Sequence, residues 1–195
     1  MILTKTYKAL PFATKEILRY AGCKTADDGI AALLDTCLKE VQDKLVYKVC
    51  YRELPIFLND NICDFGVFSV HSQNLAANLK DAKKVVLFAA TVGIEIDRLI
   101  ARYSRISPSK ALMFQAIGAE GIESLCNTFC KDLARQMGVG LSPRFSPGYG
   151  DLPLDTQKNI FSVLDCPKQI GLSLNNSLLI SPSKSVTAFT GICEK

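Results

Sequence analysis

Between Pro108 and Pro143 the chain contains no proline, and that stretch sets the dimensions of whatever it folds into. Ser107-Pro108 is a strong helix start. Serine can cap a first turn, and proline at the first helical position loses nothing by its missing N–H and fixed backbone angle. Gly138 is the natural stop. The pattern predicts one helix running to about Gly138, which at ~1.5 Å per residue approaches ~45 Å and crosses a whole domain. Its apolar positions Leu112, Ala116, Ala119, Ile122, Cys126 and Phe129 are mostly small, which suits close packing on a sheet. Glu120 and Glu123 interrupt that pattern. By periodicity Glu123 lies at the flank, where a carboxylate can pack its stem and keep its head in water.

The sheet is written on both sides of this helix. Lys84 to Thr91 is a near-continuous apolar run of strand length, the signature of a central strand buried on both faces. Val46 to Leu54 and Ile62 to Val70 read as extended, with Asn59-Asp60-Asn61 as a turn between them, and the tail from Ile170 to Ile192 reads as short strands joined by turn residues. Helices are expected over Thr14–Gly22, Ser72–Leu79, Ile94–Tyr103 and Leu154–Leu164. A longer one, capped by Thr25 with Asp28, carries Ile30, Leu33, Leu34, Cys37, Leu38, Val41 and Leu45 on one face. The expected fold class is α+β, a twisted, mostly antiparallel sheet with helices packed against it. Nothing in residues 1–195 reads as a linker, so one domain is expected, with an N-terminal part over 1–82 and a second part over 83–192.

Composition narrows the chemistry. With 48% hydrophobic and 22% charged residues the chain can build a core, and its net charge of +4 is spread without a basic stripe, which argues against nucleic acid. No apolar run reaches the ~18 residues needed to span a bilayer, and the opening MILTKTYKALPF lacks a secretory core, so no membrane partner and a cytoplasmic location are expected. The eight cysteines form no Cys-x-x-Cys pair, and His71 is the one histidine. That is poor metal-site spacing, and few nucleophile–base schemes can be built with it. Cys126 and Cys130, one turn apart in an apolar context, read as reduced core thiols. No glycine-rich phosphate loop follows a strand.

One loop stands out against this background. Arg144-Phe145-Ser146-Pro147-Gly148-Tyr149-Gly150-Asp151-Leu152-Pro153 combines two prolines that fix the backbone with two glycines that open conformations closed to other residues. Arg144 brings a planar cation able to grip a carboxylate, and Tyr149 an aromatic face that can stack on a flat or cationic group. Placed just after a helix that offers carboxylates, the loop suits a small zwitterion carrying a carboxylate and cationic or hydroxyl groups.

RFSPGYGDLPLDTQ (144–157), IGAEGIESLC (117–126) and IGLSLNNSLLISPSKSVTAFTGI (170–192) together resemble the S-adenosylmethionine-binding activation domain of cobalamin-dependent methionine synthase. The chain is most similar to stand-alone homologues of that domain, through the half from about Lys83 to Ile192 and, earlier, the segment KEILRYAGCK (15–24). The resemblance implies a curved α+β fold that binds S-adenosylmethionine, with the methyl acceptor, a cobalamin, on a methionine synthase or related corrinoid protein and with an electron donor as a further partner. It implies no catalytic residue on this chain. By matching position, Arg144 would hold the ligand's carboxylate or brace the loop, and Ser146 would offer backbone groups to the adenine end. Phe145, Gly148 and Tyr149 complete the motif. Glu123 would accept hydrogen bonds from ribose hydroxyls or the amino group. No Asp-x-His-x-x-Gly cobalamin motif is present, so the expected role is an activation subunit and not a complete methionine synthase. A non-catalytic scaffold for a corrinoid protein and an independent small-molecule methyltransferase are the alternatives.

Overall fold

Val86, Phe88 and Ala90 enter one hydrophobic core while their neighbours Val85, Leu87 and Ala89 enter another, so the strand at 84–91 has no polar face to show. The uninterrupted apolar run in the sequence is the direct consequence, because a strand covered on both sides needs no alternation. The computed structural model describes residues 1–23, 25 and 27–193, so Lys24 of the KEILRYAGCK segment and the final Glu194-Lys195 lie outside the described residues.

In chain order the elements are β1 (Leu3–Tyr7), α1 (Thr14–Tyr20), α2 (Asp28–Val41), β2 (Tyr47–Pro55), β3 (Phe57–Asn59), β4 (Ile62–Asp64), β5 (Ser69–His71), α3 (Gln73–Leu79) and β6 (Lys84–Thr91). There follow α4 (Glu95–Ile106), α5 (Pro108–Met137), β7 (Gly140–Leu141), α6 (Thr156–Leu164), α7 (Cys166–Ile170), β8 (Ser173–Leu174), β9 (Ile180–Ser181) and β10 (Ser185–Cys193). The main sheet has the order β1-β2-β6-β10-β7, with every pair antiparallel. Helices α1, α2, α4 and α5 contribute to the core on one face, and α3, α6 and α7 to the core on the other. The fold is α+β, as expected.

The long helix spans 30 residues and ends at Gly138, which takes the left-handed conformation that suits glycine. Two details of it differ from expectation. The Ser107 side chain caps no backbone N–H, although its carbonyl accepts the first helical bond, from Ala111. Leu112 is 52% exposed, and the buried residues of that turn are Ala111, Met113 and Phe114. Ala116, Ile122, Cys126 and Phe129 of the expected face are buried, so the face holds and Leu112 stands outside it.

Four other local differences have physical causes. The cap of α2 is Asp27, whose carboxylate accepts from the Ile30 N–H at 2.8 Å, and not Thr25. The stretch 62–70 is not one strand but two, β4 and β5, because Gly66 adopts a left-handed turn conformation with Asp64 accepting its N–H at 2.8 Å. Cys166-Pro167 does not only end a helix: proline within the first turn starts α7. Strand β1, read from no sequence signal, pairs with β2 at the sheet edge, where its exposed residues leave no clean alternation.

Candidate functional site

The loop at 144–153 is held at three points. Phe145 exchanges two backbone hydrogen bonds with Phe189 of β10, at 2.9 and 2.8 Å, so the loop starts as a one-residue extension of the sheet. Within the loop, the Gly148 N–H donates to the Leu152 carbonyl at 2.9 Å and the Tyr149 N–H to the Ser146 carbonyl at 3.1 Å. Gly148 (φ +84°) and Gly150 (φ +54°) both lie in the left-handed region, and a Cβ on Gly150 would stand 3.0 Å from Asn74 Oδ1. The turn therefore requires its glycines.

The third anchor is Asp151. Its carboxylate accepts from Ser72 Oγ, from the Gln73 N–H at 2.7 Å and from the Asn74 N–H at 3.2 Å, so the loop caps α3 together with Ser72 itself. The Ser72 hydrogen bond, then those from the backbone, hold the Asp151 pKa below the ordinary carboxylate value. A lowered carboxylate pKa stabilises the fold above the unfolded value, near ~3.9, and that contribution disappears as pH falls through the lower folded value. Asp151→Ala is accordingly expected to lower Tm by a few degrees at pH 7. The gap to wild type should narrow as pH falls below ~3.9 and close once pH has passed the lower folded value, where the protonated carboxyl no longer makes a charged cap. Thermal melts across pH check this, and a gap independent of pH would contradict it.

Arg144 and Glu123 come together. Arg144 Nη2 donates to Glu123 Oε2 at 2.8 Å, joining the loop to the middle of α5. The Arg144 side chain is 24% exposed and that of Glu123 is 41% exposed. Burial works against the Arg144 charge, but Cys126 and Glu123 favour it and prevail, raising its pKa. Burial also pushes the Cys126 thiol up to about 12, so it is uncharged at neutral pH and Glu123 is the partner that counts there. Cys126 and Cys130 are free thiols, Cys126 fully buried and Cys130 partly so. Glu120, one turn before Glu123, is buried and accepts from the Ala13 N–H at 3.2 Å. It ties the start of α1 to α5 and does not face the loop's partners.

Glu123, Arg144, Ser146, Tyr149 and Val186 line a cavity of about 220 Å³. Four of the six residues singled out in the sequence are thus on one wall or another of one space. Gly148 shapes the turn between Ser146 and Tyr149. Phe145 turns its backbone to β10 and its ring toward Tyr149, with centroids 6.4 Å apart and nearly perpendicular. Tyr149 is 73% exposed, a large flat face at the rim. Strand β7 pairs only with Ile192 and Cys193, and Phe145 only with Phe189, so the outer edge of β10 from Ser185 to Thr187 has no strand partner among the described residues. A larger groove, about 630 Å³, continues on the other side of Arg144 past Asn127, Cys130, Lys131 and Ser142. A further cavity, about 730 Å³, lies away from the loop along α1, lined by Lys15 and by Glu16 and Arg19, which are paired with each other.

A partly desolvated Arg–Glu pair, an exposed tyrosine and a strand edge without a strand partner thus meet at one cavity. The fold is shared with a solved reactivation domain. A solved structure described as the MetH reactivation domain bound to AdoHcy superposes with a TM-score of 0.71, covering 98% of this chain and 78% of that one at 15% identity. No family model and no curated protein matches the sequence. The likeness thus lies in the arrangement of elements over nearly the whole of this chain. Among the described residues no helix is long and apolar enough to cross a membrane.

Sequence reasoning placed Glu123 and Arg144 as separate contacts. The structure makes them a pair, and it adds Val186, which in the sequence is one apolar residue of a strand. The signal for Val186 was its place at the start of the last strand, just after the Ser-Pro-Ser-Lys turn.

Proposed function

We propose that this chain is an S-adenosylmethionine-binding activation subunit that serves the cobalamin of a methionine synthase or related corrinoid protein. The observation that carries the reading is the Arg144–Glu123 pair sharing one cavity with Tyr149, on a fold shared with a domain seen bound to AdoHcy. Glu123 gives one carboxylate oxygen to Arg144 and keeps further acceptor capacity for ribose hydroxyls or an amino group. Arg144 keeps further N–H donors beyond the one given to Glu123. The Ser146 backbone and the open edge of β10 offer donors and acceptors of the kind that pair with an adenine rim, and Tyr149 can stack on the base. Phe145 and Gly148 set the loop that presents them.

In this role the chain binds and orients. The bound sulfonium would supply the methyl group and an external electron donor the electron, both for a cobalamin carried by the partner, with S-adenosylhomocysteine left on this chain. None of the residues at the cavity is asked to move a proton.

Titration calorimetry with S-adenosylmethionine tests the reading. A saturable heat at one ligand per chain is expected, and no heat at millimolar ligand would overturn it. One observation favours a second reading, a non-catalytic module that keeps the fold without the ligand: Arg144 and Glu123 already satisfy each other across 2.8 Å. Capture of a cobalamin protein with the same affinity in the presence and absence of ligand would decide for that alternative.

A further inference from the structure

Arg144 and Glu123 neutralise one another, so the cavity they share has no uncompensated cation. An S-adenosyl ligand ends in a carboxylate, and a carboxylate entering a partly buried site needs a positive partner that is not already paired. The cavity is also smaller than the roughly 300 Å³ at the lower end of small-molecule sites, so a ligand bearing a nucleoside extends beyond it. One flank leads past Arg144 to Lys131. The other leads past Val186 toward the start of β10, which Lys184 immediately precedes.

Lys184 lies in the turn that leads into the strand, and Val186, two residues on, lines the cavity. The Lys184 stem lies against α5, the helix that presents Glu123: a Cβ added to Gly118 would stand 2.9 Å from Lys184 Cγ and 3.2 Å from its Cε. Among the described residues no carboxylate lies within ion-pairing distance of its ammonium. Asp97, whose charge favours the ammonium, is engaged by the Ser183 N–H at 2.7 Å and by Ser183 Oγ. Burial depresses the Lys184 pKa against that opposing effect of Asp97, the behaviour of an ammonium partly out of water and short of a partner.

We propose that Lys184 is a specificity-determining contact of the same site, receiving the carboxylate at the amino-acid end of an S-adenosyl ligand whose nucleoside lies over Val186 and Tyr149. The assignment rests on the S-adenosylmethionine reading above. A purely structural role for Lys184 would need only its stem, which fills the space over Gly118. Lys184→Met keeps that stem and removes the charge, so the two roles separate.

The test measures binding of two probes, S-adenosylhomocysteine and 5′-methylthioadenosine, which lacks the amino-acid end. Lys184→Met should weaken S-adenosylhomocysteine by ~10-fold or more, the loss of a charge-assisted hydrogen bond, with Tm unchanged and methylthioadenosine affected less than ~2-fold. Lys184→Arg, which restores the charge, should recover most of the loss, and this comparison decides the matter if methylthioadenosine binds too weakly to measure. Wild-type affinity in Lys184→Met, an equal loss on both probes, or the same selective loss from Lys131→Met in its place would overturn the assignment alone. A wild-type protein that binds neither probe would overturn the parent reading, and Lys184 with it.

Discussion

Arg144→Ala is expected to raise the dissociation constant for S-adenosylmethionine by roughly 10- to 150-fold, or ~1.5–3 kcal/mol, the range for a hydrogen bond to a charged group. The guanidinium is three-quarters buried and already oriented, by Glu123 at 2.8 Å and by the Phe145–Phe189 bridge next to it. A donor held in place before the ligand arrives loses little entropy on binding, so its removal is felt nearly in full. Stability should move much less. Glu123, left without its partner, is 41% exposed and can rehydrate, and ion pairs open to water contribute only ~1 kcal/mol or less. Arg144→Lys keeps the charge but not the planar fork and should fall between alanine and wild type. Calorimetry and a melting curve on each variant check the split. Unchanged affinity in a folded Arg144→Ala protein would remove Arg144 from the site and leave it as a brace for the loop.

The elements that could be read in the sequence are those whose signals come from local chemistry or from complete burial. Proline at 108 and glycine at 138 bracket α5 because each has a backbone preference that one end of a helix satisfies. The run at 84–91 was legible because a strand with two cores on either side cannot alternate. Strand β1 was not legible, since an edge strand with mostly exposed residues owes its conformation to pairing with β2, a partner some forty residues away. Helix α7 was hidden because proline both ends and begins helices, and only the backbone of Asp165, in the left-handed region, shows that one helix stops there and another starts.

The site shows the same division. The loop announced itself by composition, since two glycines at positive φ and two prolines are costly unless a fixed shape is needed. Glu123 could be put at the flank of a helix face by periodicity alone. Its pairing with Arg144 could not, because nothing within either segment states how far the chain folds back between them. Lys184 was further from reach. A lysine opening an apolar strand looks like a solvated charge until the glycine it packs against, Gly118, is known to lie across from it.

Phe129→Ala is expected to cost ~3–5 kcal/mol of stability, the range for emptying a fully buried aromatic site. Phe129 is 1% exposed, and its ring centroid stands 5.1 Å from those of both Tyr51 on β2 and Phe88 on β6. It is the point at which α5 is seated on the two strands at the middle of the sheet. For a chain of 195 residues at about 2–4 °C per kcal/mol, the expected fall in Tm is on the order of 10 °C. Phe129→Leu leaves a smaller cavity and should cost much less. The consequence reaches the site through α5, since Glu123 lies about two turns before Phe129 on the same rigid element and meets Arg144 only while the helix is docked. Ligand affinity in Phe129→Ala should therefore fall together with the folded fraction on warming, and recover at temperatures well below its own Tm. Denaturant melts and calorimetry at two temperatures measure both. A stability cost below ~1 kcal/mol would mean that this aromatic cluster does not seat the helix, and the position of Glu123 would then have to come from the Glu120–Ala13 tie and the α4 contacts instead.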